Sequence, residues 1–418
     1  MIVKQLRLTN VRVFREAEFN FQPGMNLLVG VNGVGKSTVL DVLRILFSQI
    51  LYSPVMPRLQ GSKDKPIKFK DSDISVNSIN KEFLETNIVC KIGQTKFEYP
   101  GNYYKKSYVA YTQEERQKKA LANNGSISVD SMETLETEIQ KQTLLAIFFS
   151  PHRSILNSTK LQLKDDMSPA HAKALEPRQL NLKQFIDWWQ ARKKLAEEGL
   201  ASGQTTLNAL EQAVTEFLGC SNLRVDEKKK TLLIEKSGVT LDVKQLSDGQ
   251  RGVLALVLDL TKRLAEANPY LENPAKEGKA VVLIDELDLH LHPKWQRTIV
   301  DQLTRTFPNC QFIATTHSPQ IISSVAPENV ILLEAGKPPV PPNQSLGMDT
   351  NWILKFLMET DERDSNYELE LEKIAEMIEA RKYEIAQKRI DTLREQIGEF
   401  PELVRLQTRI TRLSLLKK

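Results

Sequence analysis

The stretch GVNGVGKST, residues 30–38, decides the fold. Gly30 to Ser37 fit the spacing G-x-x-x-x-G-K-[ST]. The apolar run Met25–Val29 precedes it, and residues 38–47 follow with apolar side chains at helical spacing. Strand, glycine turn and helix in that order separate a phosphate-binding loop from a glycine-rich turn with a chance lysine. Gly30, Gly33 and Gly35 free backbone N–H groups to converge on phosphate oxygens, and the new helix turns its positive end toward them. Lys36 is suited to the terminal phosphates of ATP and the Ser37 hydroxyl to Mg²⁺, with Asn32 and Thr38 completing the candidate nucleotide contacts.

Matching parts follow downstream. Val281-Val282-Leu283-Ile284-Asp285-Glu286 reads as a buried parallel strand ending in two carboxylates, and open α/β sheets place ligands at such ends. Asp285 suits the Mg²⁺ shell, and Glu286 suits a general base for the water that attacks the γ-phosphate. Residues 311–319, QFIATTHSP, repeat the arrangement, with His317 at the strand end and Pro319 in the first turn of a helix. A crossover helix over 293–307 is predicted to make the two strands neighbours. His290 and His292 have metal-like spacing but no third ligand nearby in sequence. Before the helical run 253–258 stands QLSDGQR, residues 245–251, where a serine and a glycine open a second anion-binding helix end. Such an end in one subunit and a P-loop in another can clamp one nucleotide between them.

The 418 residues suffice for two or three domains, and 57 basic against 53 acidic side chains give a formal charge of +4. That is too mild to establish nucleic-acid binding by itself. Cys90, Cys220 and Cys310 lie far apart, as expected of ordinary thiols in a reducing compartment. No signal-peptide core opens the chain and no apolar run approaches a membrane span, so a cytoplasmic protein is expected. Residues 87–92 and 95–99 alternate about Gly93-Gln94 as a hairpin, and residues 144–149 read as a buried strand ending at Ser150-Pro151-His152-Arg153. Phe185, Trp188 and Trp189 share one predicted helix, as a packing face or a base-stacking platform. The expected domains are 1–160 and 231–335 as the two parts of one head, 161–230 as a helical insertion, and 336–418 as a proline-rich linker with a helical tail broken at Gly398 and Pro401.

Taken in order, Gly30–Ser37, Leu246–Gln250, Leu283–Glu286 and Thr316–Pro319 resemble an ABC-type ATPase head of the RecF/SMC/OLD group. LTNVRVF at 8–14 is similar to that group's first strand end, and DELDLHLHP at 285–293 to its Walker B and D-loop. Within the group, residues 69–75, 148–153 and 185–189 and the helical tail look most like the PtuA-type ATPases of Septu and retron anti-phage systems. The resemblance implies an α/β head carrying an antiparallel β layer, a helical insertion and a C-terminal helical domain. It also implies ATP, Mg²⁺ and an ATP-sandwich dimer, or a higher oligomer, in which Ser247, Gly249 and Gln250 complete the opposite subunit's site. The expected function is an ATP-hydrolysing sensor for a separate nuclease subunit of HNH type, with DNA or retron nucleic acid as a further partner. A RecF-like DNA-maintenance ATPase and an ATP-stabilised scaffold stand as alternatives. The signature departs from the transporter pattern at Asp248, and Gln113 and Gln142 are the candidates for a Q-loop. Only 210 residues separate Lys36 from Ser247, too few for a long SMC coiled coil, and residues 336–418 lack the Asp-x-Asp of a TOPRIM nuclease.

Overall fold

The chain opens with an antiparallel pair, β1 (Ile2–Val11) and β2 (Phe14–Asn20), then enters β3 (Met25–Val29) and the helix α1 (Lys36–Leu51). β4 (Phe83–Ile92) and β5 (Thr95–Tyr104) form the predicted hairpin about Gly93-Gln94, with longer strands than expected. With β6 (Ser128–Val129) they extend the first pair into the order β2-β1-β4-β5-β6. One face of this sheet turns Leu6, Leu8, Ile88, Cys90 and Phe97 inward, and they share a core with Val39, Leu43 and Phe47 of α1. Alternation is what a sheet with one wet face requires. The computed structural model describes residues 1–53, 65–76, 83–104, 127–141, 144–156, 170–171, 173–360 and 365–415.

After the helix α2 (Met132–Lys141) comes β7 (Ala146–Phe149), followed by the short parallel pair β8 (Ile155–Leu156) and β9 (Leu180–Asn181). Asn181 caps α3 (Leu182–Glu197), accepting from Gln184 N at 3.1 Å, and α4 (Ala201–Leu218) runs to the left-handed cap Gly219. Phe185 and Trp189 are buried and their rings meet, which makes this face of α3 a packing surface. β10 (Ser221–Asp226), β11 (Thr231–Lys236) and β12 (Val239–Asp242) form an antiparallel meander that begins inside the stretch read as purely helical. Then α5 (Asp248–Ala267) leads to β13 (Val281–Ile284), β14 (Gln311–Thr315) and β15 (Val330–Leu332).

These last three strands join β3 and β7 in one parallel sheet of order β15-β3-β14-β13-β7. Every residue of β3, β7, β13 and β14 is buried, as a sheet covered on both faces demands. The crossover between β13 and β14 is two helices, Pro293–Gln296 and Ile299–Thr306, where a single one over 293–307 was expected. Thr298 interrupts it: its N–H and hydroxyl both turn back to Trp295 O, a local bond that competes with helix propagation.

The chain divides into unit 1, residues 1–353, and unit 2, residues 354–418. The proline-rich stretch at 338–342 therefore does not mark the boundary. Val340 pairs antiparallel with Leu332, at 2.8 Å and 3.3 Å, and is the only residue of that stretch with an N–H to give. Further on, the buried Ser345 hydroxyl donates to Val325 O at 2.6 Å. In unit 2 the helices Ser365–Glu379, Tyr383–Ile397 and Pro401–Leu415 enclose their own core of Ile374, Ile378, Ala386, Ile390, Leu393, Leu403 and Ile410. The second break falls at Gly398 and Pro401, where the sequence places it.

Candidate functional site

All five parallel strands end on one edge, so the residues that follow β3, β7, β13, β14 and β15 share it. The P-loop follows β3. Gly30 is needed because a Cβ there would come within 2.3 Å of Leu333 O, just beyond β15. Gly35, at φ 105°, lies under the β1–β2 turn, where a Cβ would meet Val13 and Phe14 at 2.6 Å. This gives LTNVRVF a physical role, since the first strand end roofs the loop. Arg12 anchors that turn by pairing with Asp41 at 2.8 Å and Asp73 at 2.9 Å.

Lys36 Nζ donates to Gly30 O and Val31 O, both at 2.8 Å. Desolvation lowers its pKa, and Asp285, Asp288 and Glu286 work against the shift. Next to it, Ser37 Oγ donates to Asp285 Oδ1 at 3.2 Å. Thr315 Oγ1 donates to the same oxygen at 2.6 Å and accepts from Glu286 N at 2.7 Å. Serine, aspartate, threonine and the Glu286 peptide thus form one hydrogen-bonded chain linking the start of α1 to the ends of β13 and β14. Glu286 itself is left-handed, at φ 50°. Asp288 Oδ1 accepts from Thr316 Oγ1 at 2.7 Å and from His317 N at 3.1 Å, fixing where the histidine starts. Burial lowers the His317 pKa and neighbouring Lys36 lowers it further, with Asp288, Glu286 and Asp285 opposing the shift. Ser318 caps the next helix, accepting from Ile321 N at 3.2 Å.

Among the candidate residues, Lys36, Ser37, Asp285, Glu286 and His317 come together. Thr38 is buried at the start of α1, and Asn32 is exposed on the loop. Ser247, Gly249 and Gln250 lie at the start of α5, with no described hydrogen bond to that group. Ser247 Oγ accepts from Gln250 N at 3.3 Å while Gln250 Oε1 accepts from Ser247 N at 3.1 Å, a reciprocal capping box. A Cβ on Gly249 would come within 2.2 Å of His290 O, so the helix start rests directly on the D-loop backbone. Asp248 pairs with Arg251. His292 Nδ1 accepts from Lys294 N at 3.2 Å and so serves as a helix cap. Gln113 and Gln142 lie outside the described residues.

Three contributors went unread in the sequence: Thr315, Asp288 and Arg153. The doubled threonine at the end of β14 and the arginine closing FFSPHR were the available signals.

The donors fit Mg²⁺. The Ser37 hydroxyl and the Asp285 carboxylate are hard oxygens set against the same space, and two protein ligands suffice for an ion that completes its shell with phosphate and water. No cluster of three His, Cys, Asp or Glu able to hold a metal occurs among the described residues. No helix there is long and apolar enough to cross a membrane.

The chain is similar to the "Retron Ec83 probable ATPase" of Escherichia coli, 28% identical over 98% of this chain and 86% of that one. It is similar also to "Septu protein PtuA" of Bacillus thuringiensis, 24% identical over 80% of this chain and 76% of the other. An SMC head domain from Thermotoga maritima superposes with a TM-score of 0.44 at 15% identity, over 82% of this chain and 100% of that one. Residues 25–323, which run from the strand before the P-loop past His317, match the family described as "AAA domain, putative AbiEii toxin, Type IV TA system", and the chain belongs to that family.

Proposed function

We propose that this chain is an ATPase serving as the sensor subunit of an anti-phage defence complex, where it controls a separate nuclease subunit of HNH type. The carrying observation is the bonded chain Ser37–Asp285–Thr315–Glu286 beside the P-loop lysine. In this reading the loop amides and Lys36 hold the β- and γ-phosphates of ATP. Ser37 and Asp285 would hold Mg²⁺, which would supply charge neutralisation on the phosphate oxygens. Thr315 keeps the Asp285 carboxylate facing Ser37 and at the same time ties down the Glu286 peptide. The Glu286 carboxylate takes a proton from the attacking water, and His317 donates a hydrogen bond toward the γ-phosphate. Ser247, Gly249 and Gln250 contact the nucleotide of the opposite subunit, so ATP closes a dimer from which a larger assembly is built.

The defence role draws its support from the likeness to retron and Septu proteins across most of the chain. The reading includes a cytoplasmic location and a nuclease partner, with DNA or retron nucleic acid as the further component. Glu286→Gln tests the chemistry. It should bind ATP as the parent does and hydrolyse it roughly 10²–10⁴-fold more slowly, the usual weight of general-base catalysis. Unchanged turnover would remove Glu286 from the mechanism. Native mass spectrometry of the chain co-expressed with its genomic neighbours tests the partner: a complex lacking any nuclease would sink that part.

A further inference from the structure

One side chain from β7's end grips the backbone that follows β13. Arg153 Nη1 donates to Asp285 O at 2.8 Å, while Nη2 donates to Glu286 O at 2.8 Å and to Leu287 O at 3.1 Å. Three successive carbonyls are met by the two terminal nitrogens of one guanidinium, whose rigid planar fork fixes their direction where an ammonium is a flexible point charge.

The grip falls on a strained residue. Glu286 at φ 50° occupies a left-handed region that a residue with a Cβ rarely adopts and that persists only where the surroundings over-determine it. Its N–H is held by Thr315 of β14 and its carbonyl by Arg153 beyond β7. The two strands that flank β13 therefore fix both ends of the same residue. The backbone of Arg153 also meets α5, where a Cβ on Gly252 would lie 3.4 Å from Arg153 O.

We propose that Arg153 is a positioning residue for hydrolysis, its guanidinium holding the Asp285–Leu287 backbone so that the Glu286 carboxylate is aimed at the attacking water. This rests on the reading of Glu286 as the base. Arg153 touches no phosphate in this assignment and acts only through its neighbour.

Arg153→Met keeps the stem and removes the fork; Arg153→Lys keeps the charge and can make only part of the grip. Arg153→Met should lower kcat by roughly 10²-fold, the effect of a misplacement of about 1 Å at a reacting group. KM, and the affinity for a fluorescent ATP analogue measured without Mg²⁺, should stay within about twofold, because no phosphate contact is lost. Arg153→Lys should recover part of kcat. The double variant Arg153→Met/Glu286→Gln should be no slower than Glu286→Gln alone, since both lesions pass through one carboxylate. Parental kcat in Arg153→Met, with Glu286→Gln inactive, would overturn the inference and leave the base in place. Analogue affinity falling as far as kcat, or additive losses in the double variant, would make Arg153 an ordinary fold contact and overturn it too. Full hydrolysis by Glu286→Gln would remove the base and this inference with it. Should Arg153→Met fail to fold, Arg153→Lys decides: a lower kcat at unchanged analogue affinity supports the role, and a parental kcat rejects it.

Discussion

Two helices of unit 1 begin at glycine-containing motifs, and they begin differently. α1 starts behind Gly35, a left-handed residue that offers no side-chain cap. α5 starts behind Ser247, and its own Gln250 closes the capping box. The first leaves its leading N–H groups open, whereas the second satisfies two of its orphan groups with its own side chains. An open start receives an anion without rearrangement. A closed one must exchange internal bonds for ligand bonds, which costs about 1 kcal/mol per cap. In the proposed reading, the backbone at the P-loop end meets phosphate without losing a side-chain cap, whereas the signature end must open its box to meet a nucleotide.

The harshest test of this contrast removes the lysine at the open end. Lys36→Ala should weaken ATP binding by roughly 10–100-fold, the weight of about 1.5–3 kcal/mol for a hydrogen bond to a charged group, read by titration calorimetry. Mixed with Ser247→Arg under conditions where subunits exchange, it should regain hydrolysis, because each hybrid has one site free of both lesions. An exchanging mixture as inactive as its parents would show that α5 serves no partner's site. A gentler probe is Ser247→Ala, which opens the closed end. Without nucleotide it should lose about 1 kcal/mol of stability, seen as a drop of a few degrees in Tm. An unchanged Tm would mean that the box contributes nothing in solution. Smallest of all is Asp248→Asn. Its pair with Arg251 is exposed, and its removal should cost only about 0.3–0.5 kcal/mol by denaturant titration. A clearly larger loss would reveal a second role for the Asp248 carboxylate.

How legible these features were depends on what carries them. Residues 25–51, 281–286 and 311–317 could be read because side-chain type and spacing state the chemistry: glycines before a lysine, aliphatics before carboxylates, a histidine at a strand end. The three-helix core of unit 2 announced itself by apolar stripes and by the breaks at Gly398 and Pro401. Arg153 did not, because its targets are carbonyls 132 to 134 residues away, and every residue owns a carbonyl. The division of the crossover at Thr298 was hidden for a similar reason, since a local hydroxyl bond competes with helix on nearly equal terms. The meander β10–β12 was partly missed: its first strand begins in a polar stretch continuous with α4. The proline-rich stretch misled in the opposite sense, because composition alone says linker while one valine among four prolines says strand partner.

That valine has a consequence for how the sheet meets its surroundings. β15 is an edge strand of the parallel sheet, and bare edges invite a further strand from any passing chain. Val340 takes up Leu332 with both of its backbone groups, while Pro338, Pro339, Pro341 and Pro342 have no N–H to offer outward. The last rung of the ladder is therefore written in residues that cannot begin another. A chain read as assembling through a nucleotide gains from such a stop, since strand addition at this edge would join copies whether or not ATP was bound.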